Sequence, residues 1–153
     1  MRTIRLTKNK KAKVDDEDYE WLSQYKWYAC EMRNKWYAVR KVNRKNVYMH
    51  RFIISPDIRL QIDHIDGDGL NNTRENLRVC TSTENARNRR KINGGSSQYK
   101  GVHWHKRQCQ WIARITIDRK QIQIGSFNSE IEAAKAYDDK ARYYFGEFAK
   151  LNF

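Results

Sequence analysis

Apolar and polar residues alternate in short bursts along the first fifty positions, the period of half-buried strands rather than of a helix. Residues 2–7, 11–14, 27–32 and 36–42 carry this pattern and are expected as strands of one small antiparallel sheet, with Asn34 and Lys35 in a hairpin turn. Between the second and third of them, Asp15 is followed by Asp16, Glu17 and Asp18, which predicts a helix over 16–24 with Asp15 as its cap and acids at the positive end of its dipole. A short apolar run over 48–54 leads to Pro56. Residues 60–65 and 77–80 then read as two strands separated by a loop rich in Asp, Gly and Asn. Thr81 with Glu84 three residues later is a capping box, so a helix is expected over 82–90.

Gly94, Gly95, Ser96 and Ser97 have the composition of a flexible connection, which places a linker at 93–98 between a first domain, 1–92, and a second, 99–153. The second domain reads as three strands over 101–106, 111–117 and 121–127, followed by a helix over 130–144. Ser129 and Glu132 form its capping box, Ala134, Tyr137, Ala141 and Tyr144 recur at helical spacing, and Gly146 ends it. Trp111, Ala113, Ile115 and Ile117 face the Ala-rich helix, which leaves Ile112, Arg114 and Thr116 on the opposite, open face. The expected fold class is α+β, as two small domains.

Charge changes this picture from architecture to partner. The chain of 153 residues carries a formal net charge of +13 with a pI near 9.8, which points to a polyanion, nucleic acid first. The charge is segregated: no acid precedes Asp15, none lies between Glu31 and Asp57, and none between Glu84 and Asp118. Lys and Arg in these stretches are interleaved with Trp36, Tyr37, Tyr48, Trp104 and Trp111, a mixture suited to phosphate contact. No run of 18 apolar residues and no apolar leader core occurs, so neither a membrane span nor secretion by that route is expected, and the cytoplasm of a bacterium or phage-infected cell is the default. Cys30, Cys80 and Cys109 form no C-x-x-C pair, which argues against a disulfide framework and a zinc knuckle.

The string DHIDGDGLNNTRENLRVCTSTEN, from Asp63 to Asn85, brings a carboxylate, an imidazole and carboxamides into one strand, loop, strand and helix. Phosphodiester cleavage needs that set: oxygen donors suit a hard divalent cation, and an imidazole with an unperturbed pKa near 6.5 accepts a proton from water at neutral pH. Adjacent strand residues point to opposite faces, so the loop is expected to distort between Asp63 and His64, with Gly67 and Gly69 permitting the turn. A calcium loop of EF-hand type does not fit, because counting from Asp66 the fifth position is Leu70 and the twelfth Leu77.

At these residues the chain resembles the phage-type homing endonucleases of the His-Asn-His family, whose nuclease core is a ββα-metal unit. The central Asn76 falls twelve residues after His64, and Asn85 nine further on, as in that family. The resemblance implies that Asp63 and Asn85 hold one divalent ion, Mg²⁺ with Mn²⁺ as the alternative, that His64 is the general base, and that Asn76 fixes the loop and orients His64. His50 and Arg51 resemble the His-Arg pair that precedes the centre in such enzymes.

Residues 99–153 resemble an AP2 DNA-binding domain in YKGVHWHKRQCQWIARITI from Tyr99, IGSF from Ile124, AAKAYDDKA from Ala133 and the ending LNF. That resemblance implies a sheet face entering the major groove through Lys100, His103, His105, Arg114, Thr116 and Gln123, with Lys106, Arg107, Arg119 and Lys120 on phosphates. Arg87, Arg89, Arg90 and Lys91 follow the nuclease helix directly and are expected to track the phosphate backbone. The resulting expectation is a monomeric, metal-dependent homing endonuclease that reads double-stranded DNA with its N-terminal sheet and its AP2-like sheet. The alternative is a sequence-specific DNA-binding regulator whose nuclease fold is inert.

Overall fold

The structure is a computed structural model and describes residues 1–89, 91 and 94–153. The chain divides into two compact units, Met1–Asn85 and Ala86–Phe153. In the first, β1 (Arg2–Arg5) and β2 (Lys11–Val14) form a hairpin, and β3 (Tyr28–Met32), β4 (Lys35–Val42) and β5 (Lys45–Tyr48) form a separate three-stranded sheet. The single N-terminal sheet expected from the alternation is thus two sheets, and β5, too short and polar to stand out, was not anticipated. Helix α1 (Asp16–Leu22) separates them, α2 (Met49–Ile54) follows β5, and β6 (Gln61–His64) pairs antiparallel with β7 (Leu77–Cys80).

Tight turns with both central residues at positive φ close these hairpins: Lys8 and Asn9, Arg33 and Asn34, Asn43 and Arg44. Their left-handed backbone matches the right-handed twist of the flanking strands, which is why such turns recur in two-residue hairpins. The β3–β4 turn is therefore centred one residue earlier than the Asn34 and Lys35 of the sequence expectation. Asp15 occupies the N-cap position of α1, yet its side chain caps nothing; the carboxylate accepts the backbone N–H of Arg74 at 2.7 Å instead. The core of this unit gathers Ile4, Ala12, Val14, Leu22, Trp27, Ala38, Met49, Ile53, Ile62 and Leu77, drawn from β1, β2, α1, β4, α2, β6 and β7 and from Trp27 just ahead of β3.

Helix α3 (Ser82–Arg87) begins at the anticipated box: the Thr81 backbone N–H donates to the Glu84 carboxylate at 2.8 Å, and the Glu84 N–H to the Thr81 hydroxyl at 3.3 Å. The second unit consists of β8 (Val102–His105), β9 (Gln110–Ile117) and β10 (Lys120–Phe127) in the order β10–β9–β8, with α4 (Glu130–Phe145) packed against the sheet. Gly101, at φ +77°, lets the chain enter β8 against Tyr137; a Cβ there would lie 2.0 Å from that ring. Asp138 is buried and accepts the backbone N–H groups of Asn152 and Phe153, which ties the final residues back onto α4. Among the described residues no helix is long and apolar enough to cross a membrane.

Candidate active site

Strand β6 stays regular through His64, with Asp63 opposite Arg78 and His64 opposite Leu77. The distortion anticipated between Asp63 and His64 is absent, because the chain turns only afterwards: the Gly67 N–H donates to the His64 carbonyl at 2.9 Å, with Gly67 at φ +78°. Alternation then sends the two residues to opposite faces. Ile62 and His64 share the face of the apolar core, whereas Gln61 and Asp63 share the other.

On the second face, Arg78 Nε and Nη2 donate to Asp63 Oδ2 at 3.0 and 2.7 Å, an ion pair with both side chains about one-tenth exposed or less. Asn85 reaches the same face from α3, its Nδ2 donating to Gln61 Oε1 at 2.7 Å. The two expected ion ligands thus flank one strand face through Gln61, with a carboxylate and a carboxamide as donors, a chemistry that suits a hard divalent cation. Among the described residues no group of three or more His, Cys, Asp or Glu is gathered to hold a metal.

On the first face, His64 is buried within a ring cluster. Its centroid is 5.0 Å from that of His50 and 6.0 Å from that of Tyr37. Burial lowers the His64 pKa, while the Asn72 side chain and the carboxylates of Asp66, Asp63 and Asp68 pull the other way. Burial, then His64 and Arg51, push His50 down to about 3. Both imidazoles are consequently neutral at pH 7.

Asn76 pins the connecting loop. Its Oδ1 accepts the Asp66 N–H at 3.0 Å, and its Nδ2 donates to Asp66 Oδ1 at 3.0 Å and to the Asn71 carbonyl at 2.8 Å. The loop is braced from outside by β2, where the Lys13 N–H donates to the Leu70 carbonyl and the Asn72 N–H to the Lys13 carbonyl, each at 2.8 Å. Arg74 adds an ion pair to the buried Asp18 of α1 at 2.7 Å. Arg78, Gln61 and Tyr37 are the site neighbours that sequence reasoning missed; Arg78 is found only once the β6–β7 register is known.

In the second unit, the register puts His103, His105, Arg114, Thr116 and Gln123 on the sheet face away from α4. Lys106, Arg107, Arg119 and Lys120 are exposed in the strand connections or beside them. Ile112 lies on this face as expected but is only 1% exposed, so the face is not open at its centre, between His103 and Ser126. Lys100 is turned inward: its Nζ donates to the Arg87 carbonyl, and burial, followed by Lys150, lowers its pKa to about 8. Arg87 stacks over Phe145 at 4.8 Å, Arg89 is exposed, Lys91 is half-buried, and Arg90 lies outside the described residues.

A family model described as HNH endonuclease matches residues 56–87, the span that holds Asp63, His64, Asn76 and Asn85. An uncharacterized HNH endonuclease of Acanthamoeba polyphaga mimivirus is 32% identical over 137 residues, which is 86% of this chain and 68% of that protein. Protein 3.8 of Escherichia phage T7 is 33% identical over 90 residues, 59% of this chain and 74% of its own length. APETALA2-like protein 2 of Oryza sativa subsp. indica is 44% identical over 62 residues, but these are only 14% of that protein. The chain belongs to the HNH endonuclease family. It is an enzyme, a DNA endonuclease.

Proposed function

We propose that this enzyme is a metal-dependent endonuclease of homing type that cleaves double-stranded DNA as a monomer. His64 acts as the general base, and Asp63 and Asn85 hold one Mg²⁺ or Mn²⁺ ion. The observation that carries the reading is that the helical Asn85 bonds Gln61 on the strand face that bears Asp63, with His64, a buried imidazole, as the next residue of the same strand.

When bound, the ion supplies charge stabilisation at the scissile phosphate and at the departing oxygen. His64, neutral at pH 7 because burial lowers its pKa, accepts a proton from the attacking water. Asn76 holds the backbone after His64 in one shape through its bonds to Asp66 and Asn71, and in this way orients the base. Arg78 fixes the Asp63 carboxylate through Nε and Nη2.

Target reading falls to the β3–β4–β5 sheet and to an AP2-like domain at 99–153, joined to a nuclease domain at 1–92 by a linker at 93–98. His103, His105, Arg114, Thr116 and Gln123 share one sheet face, which supports base contact there, while Lys106, Arg107, Arg119 and Lys120 suit phosphates. Arg89, Arg90 and Lys91 follow the backbone between the two regions; Arg87 and Lys100 do so only by leaving Phe145 and the Arg87 carbonyl.

One comparison tests the base assignment. His64→Ala is expected to lower Mg²⁺-dependent plasmid cleavage by about 100-fold or more, the range of general-base removal, with gel-shift affinity nearly intact. Cleavage at the original rate rejects the base assignment, and cleavage by the wild type that needs neither Mg²⁺ nor Mn²⁺ rejects the metal assignment.

A further inference from the structure

Besides Asn72, which hydrogen-bonds the imidazole from within the segment 56–87 that carries the nuclease signature, two rings from outside that segment touch His64. His50, in α2, meets His64 edge to face, with centroids 5.0 Å apart and planes at 85°. Tyr37, in β4, touches both rings, at 5.9 Å to His50 and 6.0 Å to His64, and Tyr48 lies 5.5 Å from His50. The far side of Tyr37 is closed by the loop, where a Cβ on Gly69 would come within 2.6 Å of the tyrosine ring. His50 Nδ1 is buried without a hydrogen-bond partner among the described residues, so no bond from that atom sets the ring's orientation; the packed rings do.

Resting on His64 as the base, we propose that His50 is a positioning residue: with Tyr37, it holds the His64 imidazole edge-on in the single orientation that cleavage requires. The physical demand is severe, because a reacting group misplaced by about 1 Å can lose about 100-fold in rate. The Asn72 side chain hydrogen-bonds the imidazole, and two rings meeting it at 85° and 59° narrow its rotation about the Cβ–Cγ bond further.

The test compares His50→Ala, which deletes the wall, with His50→Phe, which keeps an aromatic ring of similar size and removes the nitrogens. Cleavage of a DNA duplex is expected to fall in kcat by about 10- to 100-fold in His50→Ala with KM and gel-shift affinity unchanged, and to stay within about 3-fold of wild type in His50→Phe. Tyr37→Leu is expected to behave as His50→Ala does, which covers the case of one variant failing to fold. In the His64→Ala background, His50→Ala is expected to add no further loss, since it acts through the missing ring. The His64 ring resonance in a metal-free NMR spectrum should shift or broaden in His50→Ala and return in His50→Phe.

A wild-type kcat in His50→Ala, a His50→Phe as slow as His50→Ala, or losses that add in the double variant overturns the proposal, as does an unperturbed His64 signal. If His64→Ala alone cuts at full speed while its wild-type ring signal still responds to His50, the base assignment has failed and the ring contact has not.

Discussion

His50 and His64 are two imidazoles placed where a charge is costly, and this sets how the protein responds to acid. The direction of the effect follows from their shifts: each pKa in the folded chain is below the unfolded value near 6.5, His50 at about 3. The unfolded chain therefore binds more protons below pH 6.5, and stability is fully present above that pH and lost as pH falls through it. For His50 the loss runs at about 1.4 kcal/mol per pH unit from about 6.5 down toward its folded value. Between pH 7.5 and 5.0, urea unfolding should report a drop of about 2 kcal/mol from this residue, with His64 adding in the same direction. His50→Phe should recover about 2 kcal/mol of that drop; an acid loss identical in the variant and wild type rejects the assignment. Asp63 shows the opposite strategy at the same scale, a buried carboxylate paired with Arg78 at 2.7 Å, where removing the arginine would take away a close charge partner.

Among the elements, the loop between β6 and β7 carries the most demanding geometry. Asn76 closes it from within, β2 bonds its Leu70 and Asn72 backbone from outside, and Gly69 presses it onto β4. A side chain at Gly69 has no room: its Cβ would meet the Trp36 carbonyl at 2.4 Å and the Tyr37 ring at 2.6 Å. Gly69→Ala should therefore push the loop off the sheet, costing about 1–3 kcal/mol in stability as other overpacked sites do. Cleavage should fall more steeply than DNA affinity, because Tyr37 also supports His64; thermal melting and single-turnover cleavage together read both effects, and a variant equal to wild type in both would show that the loop gives way freely. The strands and helices themselves were largely legible: α3 starts at Thr81 and Glu84, and β8, β9, β10 and α4 fall within one or two residues of their expected bounds. β5 escaped notice because Lys45–Tyr48 is short, polar and closed by a turn of Asn43 and Arg44, neither of which is glycine.

At the scale of the whole molecule, a net charge of +13 is the property that a salt titration reads. If Lys106, Arg107, Arg119 and Lys120 each neutralise a phosphate, replacing all four with Gln should reduce the slope of log K against log salt by about 3 to 4. The same replacements should weaken binding to unrelated duplexes as much as binding to a target, since phosphate contacts carry no base information. A slope unchanged by the four substitutions would remove this patch from the DNA interface. Arg87 and Lys100 are expected to contribute less to the slope than the exposed cations, because Phe145 and the Arg87 carbonyl already occupy them.

The sequence by itself determined the α+β class, the capping boxes at Thr81 and Ser129, the basic character and the candidate set of Asp63, His64, Asn76 and Asn85. Each of these depends on local spacing or composition, which the linear order of residues contains. Tertiary structure alone decided which residues surround that set: Arg78 faces Asp63 through the β6–β7 register, and His50 and Tyr37 reach His64 from elements far away in the chain. It also decided that Asp15 serves Arg74 rather than its own helix, and that Ile112 is covered on a face read as open. Such pairings arise from packing between distant segments, where apolar burial and charge compensation choose partners that no periodicity records.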